Sequence, residues 1–288
     1  MVQVIAEIGV NHNGSINLAK QLIHESARWG ADFVKFQTFV ASRVISEKAP
    51  KLEYQKVSGE KPDNVSQLEM LQQLELSYAD HLELMECASN CGTTFISTPK
   101  DQASADLLEA LDVPLYKIGS GDLMNFPLLD HIGRKNKPIY LSTGMATLKE
   151  INAAVKIIEK TSCPSLTLFH CVSAYPCPDS QLNLNAIKTL KTEFSLPIGY
   201  SDHSTGIDAA IYAVALGATI VEKHVTLDKN LDGPDHKASI NFTELKSLMN
   251  RLSTFQLMIG DGSVEPQICE LLNRQLFIRG LYYNKPLT

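Results

Sequence analysis

The chain reads as an α/β protein, a (β/α)8 barrel of the TIM type, and three observations predict it. Strand-like and helix-like segments alternate about eight times along the 288 residues. The strand-like segments are rich in Val, Ile, Phe and Tyr and mostly lack apolar–polar alternation, as parallel strands covered on both faces do. Polar residues gather where each strand finishes, which is where such barrels keep their chemistry. A doubly wound sheet also alternates, so the count of eight units in roughly 260 residues decides between the two.

The first strand, 2–9, ends Ala6-Glu7-Ile8-Gly9 and is followed by Asn11-His12-Asn13-Gly14. The second, 32–39, carries Lys35-Phe36-Gln37-Thr38. Residues 40–65 form an irregular charged insertion, the kind that builds the top of a site or a lid. The third strand, 93–99, ends Ser97-Thr98-Pro99. The fourth, 115–121, runs through Lys117-Ile118-Gly119-Ser120-Gly121 to Asp122. The fifth, 138–144, ends Ser142-Thr143-Gly144. A helix follows over Thr147–Glu159, with Leu148, Ile151, Val155 and Ile158 at helical spacing. Thr147 is its N-cap and Glu150 stands three residues on. The sixth strand, 166–173, carries His170 and Ser173, with Tyr175 just beyond.

The seventh strand, 197–203, brings Ser201 and His203, and the eighth, 219–226, brings His224. A helix-like stretch from Gly206 to Gly217 joins them. Parallel strands then set His203 and His224 on one face, one strand apart. Two imidazoles with open positions suit a catalytic metal. After residue 260 the pattern stops, so residues 1–260 are predicted as the barrel domain and 261–288 as a C-terminal arm.

Composition narrows the function classes. The formal net charge is -6 and the sequence pI about 5.8, which argues against nucleic acid or anionic membrane as a partner. No apolar run approaches the ~20 residues of a membrane helix, and no basic-then-apolar leader opens the chain. Six scattered cysteines without a CxxC pattern read as reduced thiols of a cytoplasmic protein.

One polar strand end is ordinary turn chemistry; eight in register must be satisfied by each other or by a ligand. Lys35 and Lys117 with Thr98, Ser120, Ser142 and Ser201 make a donor-rich cradle for phosphate or carboxylate. Glu7, Asp122 and Asp235 are available for proton transfer or hydroxyl binding. Plainer readings stand beside these. Glu7 can simply pair with a lysine across the mouth, Gly119-Ser120-Gly121 can be only a tight turn, and Asp232-Gly233-Pro234-Asp235 is also a turn signal. His12 and His170 read as structural or as supports behind the site residues, and His24, His81 and His131 as surface residues. Cys171 lies near the site with no obvious base beside it.

These strand ends, in this order, closely resemble the sialic acid synthase family, whose N-acetylneuraminate, legionaminate and pseudaminate synthases condense phosphoenolpyruvate with an N-acetylated hexosamine. The matching segments run from Ala6–Gly14 through Val34–Thr38, Ile96–Pro99, Lys117–Asp122, Leu141–Met145, His170-Cys171, Ser201–His203 and Glu222–His224 to Gly233–Ser239. The resemblance implies a divalent metal on His203 and His224, usually manganese, with magnesium or cobalt as alternatives. It implies a phosphoenolpyruvate pocket of Lys35, Thr98, Lys117, Ser120, Ser142 and Ser201. Gln37, Ser173, Tyr175 and Asp235 fall at sugar-facing positions, and Glu7 and Asp122 at positions for proton handling. A homodimer is also implied. Many members carry Glu where this chain has Asp122, and a close relative has Asn where this chain has Ser173. Members usually continue into a small antifreeze-like domain, and residues 261–288 look like the arm leading to it.

Three functions follow as expectations. The first is the synthase, acting on an N-acetylmannosamine-like sugar or a diacetamido-trideoxyhexose. The second is a phosphoenolpyruvate-dependent barrel synthase for a phosphorylated aldose, which wants a second basic cluster. The third is a non-catalytic sugar-binding or partner-dependent barrel lacking the module that completes its site.

Overall fold

The computed structural model describes residues 2–46, 49 and 66–279. Eight parallel strands close into a barrel: β1 (Gln3–Gly9), β2 (Phe33–Thr38), β3 (Thr94–Pro99), β4 (Tyr116–Ile118), β5 (Ile139–Ser142), β6 (Leu166–His170), β7 (Ile198–Asp202) and β8 (Ile220–Thr226). Each pairs with the next, and β1 pairs with β8. The TIM barrel expected from the sequence is therefore the fold. A two-residue strand, β9 (Ile240–Asn241), adds to the rim of β8. The fourth to sixth strands are shorter than predicted. Their polar tails leave the ladder, and Ser120–Asp122 becomes a single 3-10 turn.

The connecting helices are α1 (Ile16–Arg28), α2 (Ala41–Val44), α3 (Gln67–Gln72), α4 (Tyr78–Asn90), α5 (Gln102–Ala110), α6 (Phe126–Gly133), α7 (Leu148–Ile158), α8 (Ala186–Phe194), α9 (Asp208–Ala215) and α10 (Phe242–Ile259). The capping box read for α7 is present: Thr147 caps Glu150 N, and the Glu150 carboxylate accepts from Thr147 N at 2.7 Å. From the predicted insertion, Ala41 joins Val10, Phe39 and Leu74 in a small apolar cluster, and Val44, like Leu68 and Leu71, packs against it. Most of the insertion, 47, 48 and 50–65, lies outside the described residues. The chain divides into two compact units, Met1–Leu252 and Ser253–Thr288. The second holds α11 (Leu271–Phe277), whose residues are exposed. Among the described residues no helix is long and apolar enough to cross a membrane.

The interior of the barrel is built in layers, because alternate residues of each strand face it. Ile5, Ile96, Leu115, Phe169 and Ile220, with Phe33 and Tyr140, pack into an apolar floor. Two residues further along the same strands stand Glu7, Lys35, Thr98, Lys117, Ser142, Cys171 and Glu222. Gly199 is required at floor level, since a Cβ there would lie 2.6 Å from the Phe169 ring. The alternate set, including Val34, Ile118, Leu141, Leu168 and Val221, is fully buried under the helices. Lys223 belongs to that outer set and pairs with Asp202 at 2.8 Å, both side chains fully buried.

His81 departs from its predicted surface position. It is fully buried under α4, where Nδ1–H donates to the Ser77 carbonyl at 2.8 Å and Nε2 accepts from the Thr38 hydroxyl at 2.8 Å. The polar neighbours of His81 on α4 hide that its own face meets the barrel wall. Burial lowers its pKa in the fold, so the unfolded chain takes up the proton first. Stability contributed by neutral His81 is therefore present above the unfolded histidine value of about 6.5 and falls away below it. We expect His81→Gln to cost about 1–3 kcal/mol at pH 7.5 and to flatten the loss of stability between pH 7 and 5. Urea unfolding at both pH values checks this, and an unchanged pH slope refutes it.

Candidate active site

At the carboxyl ends of the strands a cavity of about 370 Å³ opens above the apolar floor. Its lining includes Glu7, Lys35, Gln37, Thr98, Lys117, Ser120, Ser142, Ser173, Tyr175, Ser201, His203, His224 and Asp235. All the site residues expected from the sequence thus meet in one place, with a single exception. Asp122 lines an adjoining cavity of about 860 Å³, together with Arg43, Gln102 and Asn125. Gln37, Lys100 and Gly121 line both.

The lowest polar layer is a charge-balanced cluster. Lys35 Nζ stands 2.9 Å from Glu7 Oε2 and 3.6 Å from Glu222 Oε2, and Lys117 Nζ stands 3.5 Å from Glu222 Oε1. Ser201 Oγ donates to Glu222 Oε1 at 2.8 Å, and Lys117 Nζ donates to Ser142 Oγ at 2.6 Å. All four charged side chains are almost fully buried. Burial opposes ionisation of both glutamates, but the outcomes diverge. Lys117 and Lys35 overcome it at Glu222 and hold that carboxylate below its ordinary range. At Glu7 burial wins over Lys35, and the nearby Glu222 charge adds to it, so Glu7 is pushed up. Two carboxylates with pKa values driven apart are the usual mark of divided acid–base roles.

Above this layer the two histidines face each other, with ring centroids 5.8 Å apart. Tyr175 lies 4.2 Å from the His203 ring. His203 Nδ1–H donates to the Val172 carbonyl at 2.7 Å, which leaves Nε2 as the bare nitrogen. Nε2 meets Ser201 Oγ at 3.3 Å. His224 Nδ1 is buried without a hydrogen-bond partner among the described residues; Asp235 Oδ2 stands 3.6 Å away. Burial lowers His203 to about 4 and takes His224 well below its ordinary value, the latter helped by His203 and Lys35. Burial also raises Asp235 to about 6, against Lys100 and Lys35. Two neutral imidazoles with nitrogens free to ligate beside a carboxylate fit a divalent cation.

On the opposite wall Ser120 Oγ accepts from Gly144 N at 3.0 Å and meets Cys171 Sγ at 3.1 Å. Gly144 has to be glycine, because a Cβ would lie 2.5 Å from Ser173 Oγ and 2.8 Å from Ser120 Oγ. Gln37 Nε2 donates to Glu7 Oε1 at 3.3 Å. His170 and His12 are structural, as read: His170 Nε2–H donates to the Leu182 carbonyl at 2.9 Å, and His12 Nδ1 accepts from Gly14 N at 3.1 Å.

Sequence reasoning passed over two charged lining residues. Glu222 stands two residues before His224 on β8, so strand parity alone puts it on the same interior face. Lys100 follows Pro99 immediately, past the strand end, where parity no longer reports direction. Burial lowers its pKa, against the nearby carboxylates of Asp122, Glu7 and Asp235.

A closed barrel with lysines, hydroxyls, paired carboxylates and a histidine pair at the strand carboxyl ends is an enzyme active site of the TIM-barrel kind. Residues 22–264 match the model of the NeuB family. The chain is 46% identical over 286 residues to the N,N'-diacetyllegionaminic acid synthase of Campylobacter jejuni, covering 99% of this chain and 85% of that one. It is 42% identical to the Legionella pneumophila enzyme of the same name, covering 99% and 81%. The crystal structure of the N-acetylneuraminic acid synthetase of Leptospira borgpetersenii, in complex with citrate, superposes with a TM-score of 0.85. That alignment is 34% identical and covers 96% of this chain and 90% of that one. The chain belongs to the NeuB family and is an enzyme of the sialic (nonulosonic) acid synthase class.

Proposed function

We propose that this enzyme condenses phosphoenolpyruvate with the open-chain aldehyde of an N-acetylated hexosamine, giving a nine-carbon 2-keto sugar acid and inorganic phosphate. The observation that carries the reading is the cavity itself. Its lining combines the lysines and hydroxyls Lys35, Lys117, Thr98, Ser142 and Ser201 with the histidine pair, Tyr175 and Asp235. The legionaminic acid synthases among the relatives favour a diacetamido-trideoxyhexose as substrate, with N-acetylmannosamine as the alternative.

Lys117 and Ser142 hold the carboxylate and phosphate of phosphoenolpyruvate together with Lys35, Thr98, Ser120 and Ser201. This offsets the charge that otherwise repels an anionic substrate and aligns C3 with the aldehyde carbon. His203 and His224 would hold a divalent cation, manganese first and magnesium or cobalt as alternatives, which when bound would supply Lewis-acid polarisation of a carbonyl oxygen. Carbon–carbon bond formation leaves C2 electron-poor, water adds there, and phosphate leaves with C–O cleavage. Glu7, raised by burial and held by Lys35 and Gln37, accepts the proton lost by that water. Asp122 and Asp235 bind or relay protons to sugar hydroxyls from the outer side.

The test is phosphate release from phosphoenolpyruvate across a panel of N-acetylated hexosamines, with manganese or with EDTA. Metal-dependent release with one sugar is expected. Release that ignores EDTA refutes the metal assignment, and no release with any sugar refutes the synthase reading for this chain.

Lys100 gives a second check. Lys100 reaches the junction of the two cavities, with the carboxylates of Asp122, Glu7 and Asp235 nearby. Lys100→Met is expected to raise the sugar KM about 10-fold or more, with the phosphoenolpyruvate KM little changed. The reverse split assigns Lys100 to the phosphoenolpyruvate half of the site.

A further inference from the structure

Outside the barrel wall, two neighbouring helices bring soft ligands together. α1 and α4 pack against each other. Lys20 and His24 stand one turn apart on α1, and Glu83, Cys87 and Cys91 recur every fourth residue on α4, so two facing stripes form. At one end Lys20 pairs with Glu83. At the other, Cys91 Sγ lies 3.0 Å from His24 Nδ1, and Cys87 Sγ lies 3.8 Å from His24 Nε2. One ligand atom from each of the three residues falls within 4.8 Å of the others.

That spacing is close to what a metal demands. With bonds of about 2.0–2.3 Å, ligands of a tetrahedral zinc stand about 3.5 Å apart. The three donor atoms, already within 4.8 Å of one another, are near that spacing. Both thiols are free and half-buried, and His24 is exposed, so a cation can reach them. Thiolate and imidazole donors select zinc-like cations over magnesium or calcium.

We propose that His24, Cys87 and Cys91 form a second metal site, separate from the barrel mouth, that takes one zinc-class divalent cation and ties α1 to α4. Water fills the fourth position. Thiols lose their protons on ligation, so loading releases protons and tightens as pH rises. The site does not depend on the reaction proposed for the cavity, and its test does not use that reaction.

The full chain, reduced and stripped with a chelator, is titrated with cobalt(II) alone, and near-ultraviolet thiolate-to-cobalt charge transfer is read. A histidine pair contributes no such band. A band of one thiolate-bound cobalt per chain, displaced by zinc, is expected beside any bandless cobalt on the histidine pair. Zinc should also raise the melting temperature by about 5 °C. Cys87→Ser with Cys91→Ser should lose both the band and the zinc-dependent rise while keeping the far-ultraviolet circular dichroism of the parent. His24→Ala should weaken cobalt binding on the order of 10-fold or more. No band at a tenfold excess of cobalt overturns the site, as does a band that survives the double serine variant.

Discussion

Lys117→Ala is expected to raise the KM for phosphoenolpyruvate on the order of 100-fold, since it removes one partner of a buried charge-assisted contact. The KM for the sugar should hardly move. The reasoning rests on depth. Lys117 lies directly above the apolar floor, its ammonium 5.0 Å from the centre of the Phe169 ring and 2.6 Å from Ser142 Oγ. Nothing mobile can take its place there. Initial rates at varied phosphoenolpyruvate give the answer, and an unchanged KM removes Lys117 from the anion cradle. The same variant has a stability signature. Glu222 then keeps Lys35 as its remaining cation, and its carboxylate is expected to lose part of its depression. Glu222→Gln in the parent leaves an extra buried positive charge and should cost about 3–5 kcal/mol. On the Lys117→Ala background that cost should shrink, because the two changes together restore neutrality. A double-mutant cycle measures the difference directly.

His203→Ala and His224→Ala are each expected to lower turnover on the order of 1,000-fold, which is what losing several kcal/mol of Lewis-acid stabilisation amounts to. Both rings are held neutral by burial. A neutral imidazole ligates a cation, whereas an imidazolium repels it. The loss should be accompanied by weaker manganese binding at equilibrium, which separates a missing ligand from a distorted cavity. Circular dichroism like that of the parent is expected, since neither residue belongs to the apolar floor. Turnover retained by both variants in added manganese sinks the assignment.

Much of this is legible in the amino-acid sequence alone. The strands showed themselves because parallel ladders buried on both faces leave runs such as Ile220-Val221 and Leu166–Phe169. The cavity showed itself because each run ended in polar residues that a closed floor leaves nowhere else to go. What escaped depended on proximity that no spacing encodes. Lys100 sits one residue past the ladder, where the backbone turns freely. Asp122 ends a 3-10 turn that carries it into the outer cavity. His81 looked like a surface residue because helix periodicity says which face is shared but not what lies beneath it. The meeting of His24 with Cys87 and Cys91 required knowing that α1 and α4 are neighbours on the barrel, although they are separated in sequence by β2 and the insertion.

A barrel plugged by Phe169 and its neighbours is a cul-de-sac. Whatever is held by Lys117 and Ser142 has to arrive before the partner that fills the space above it, and traffic out must reverse through the same door. If phosphoenolpyruvate occupies that deepest berth, the sugar acts as the stopper, and the enzyme's kinetic order is already written in which end of the cylinder is solid.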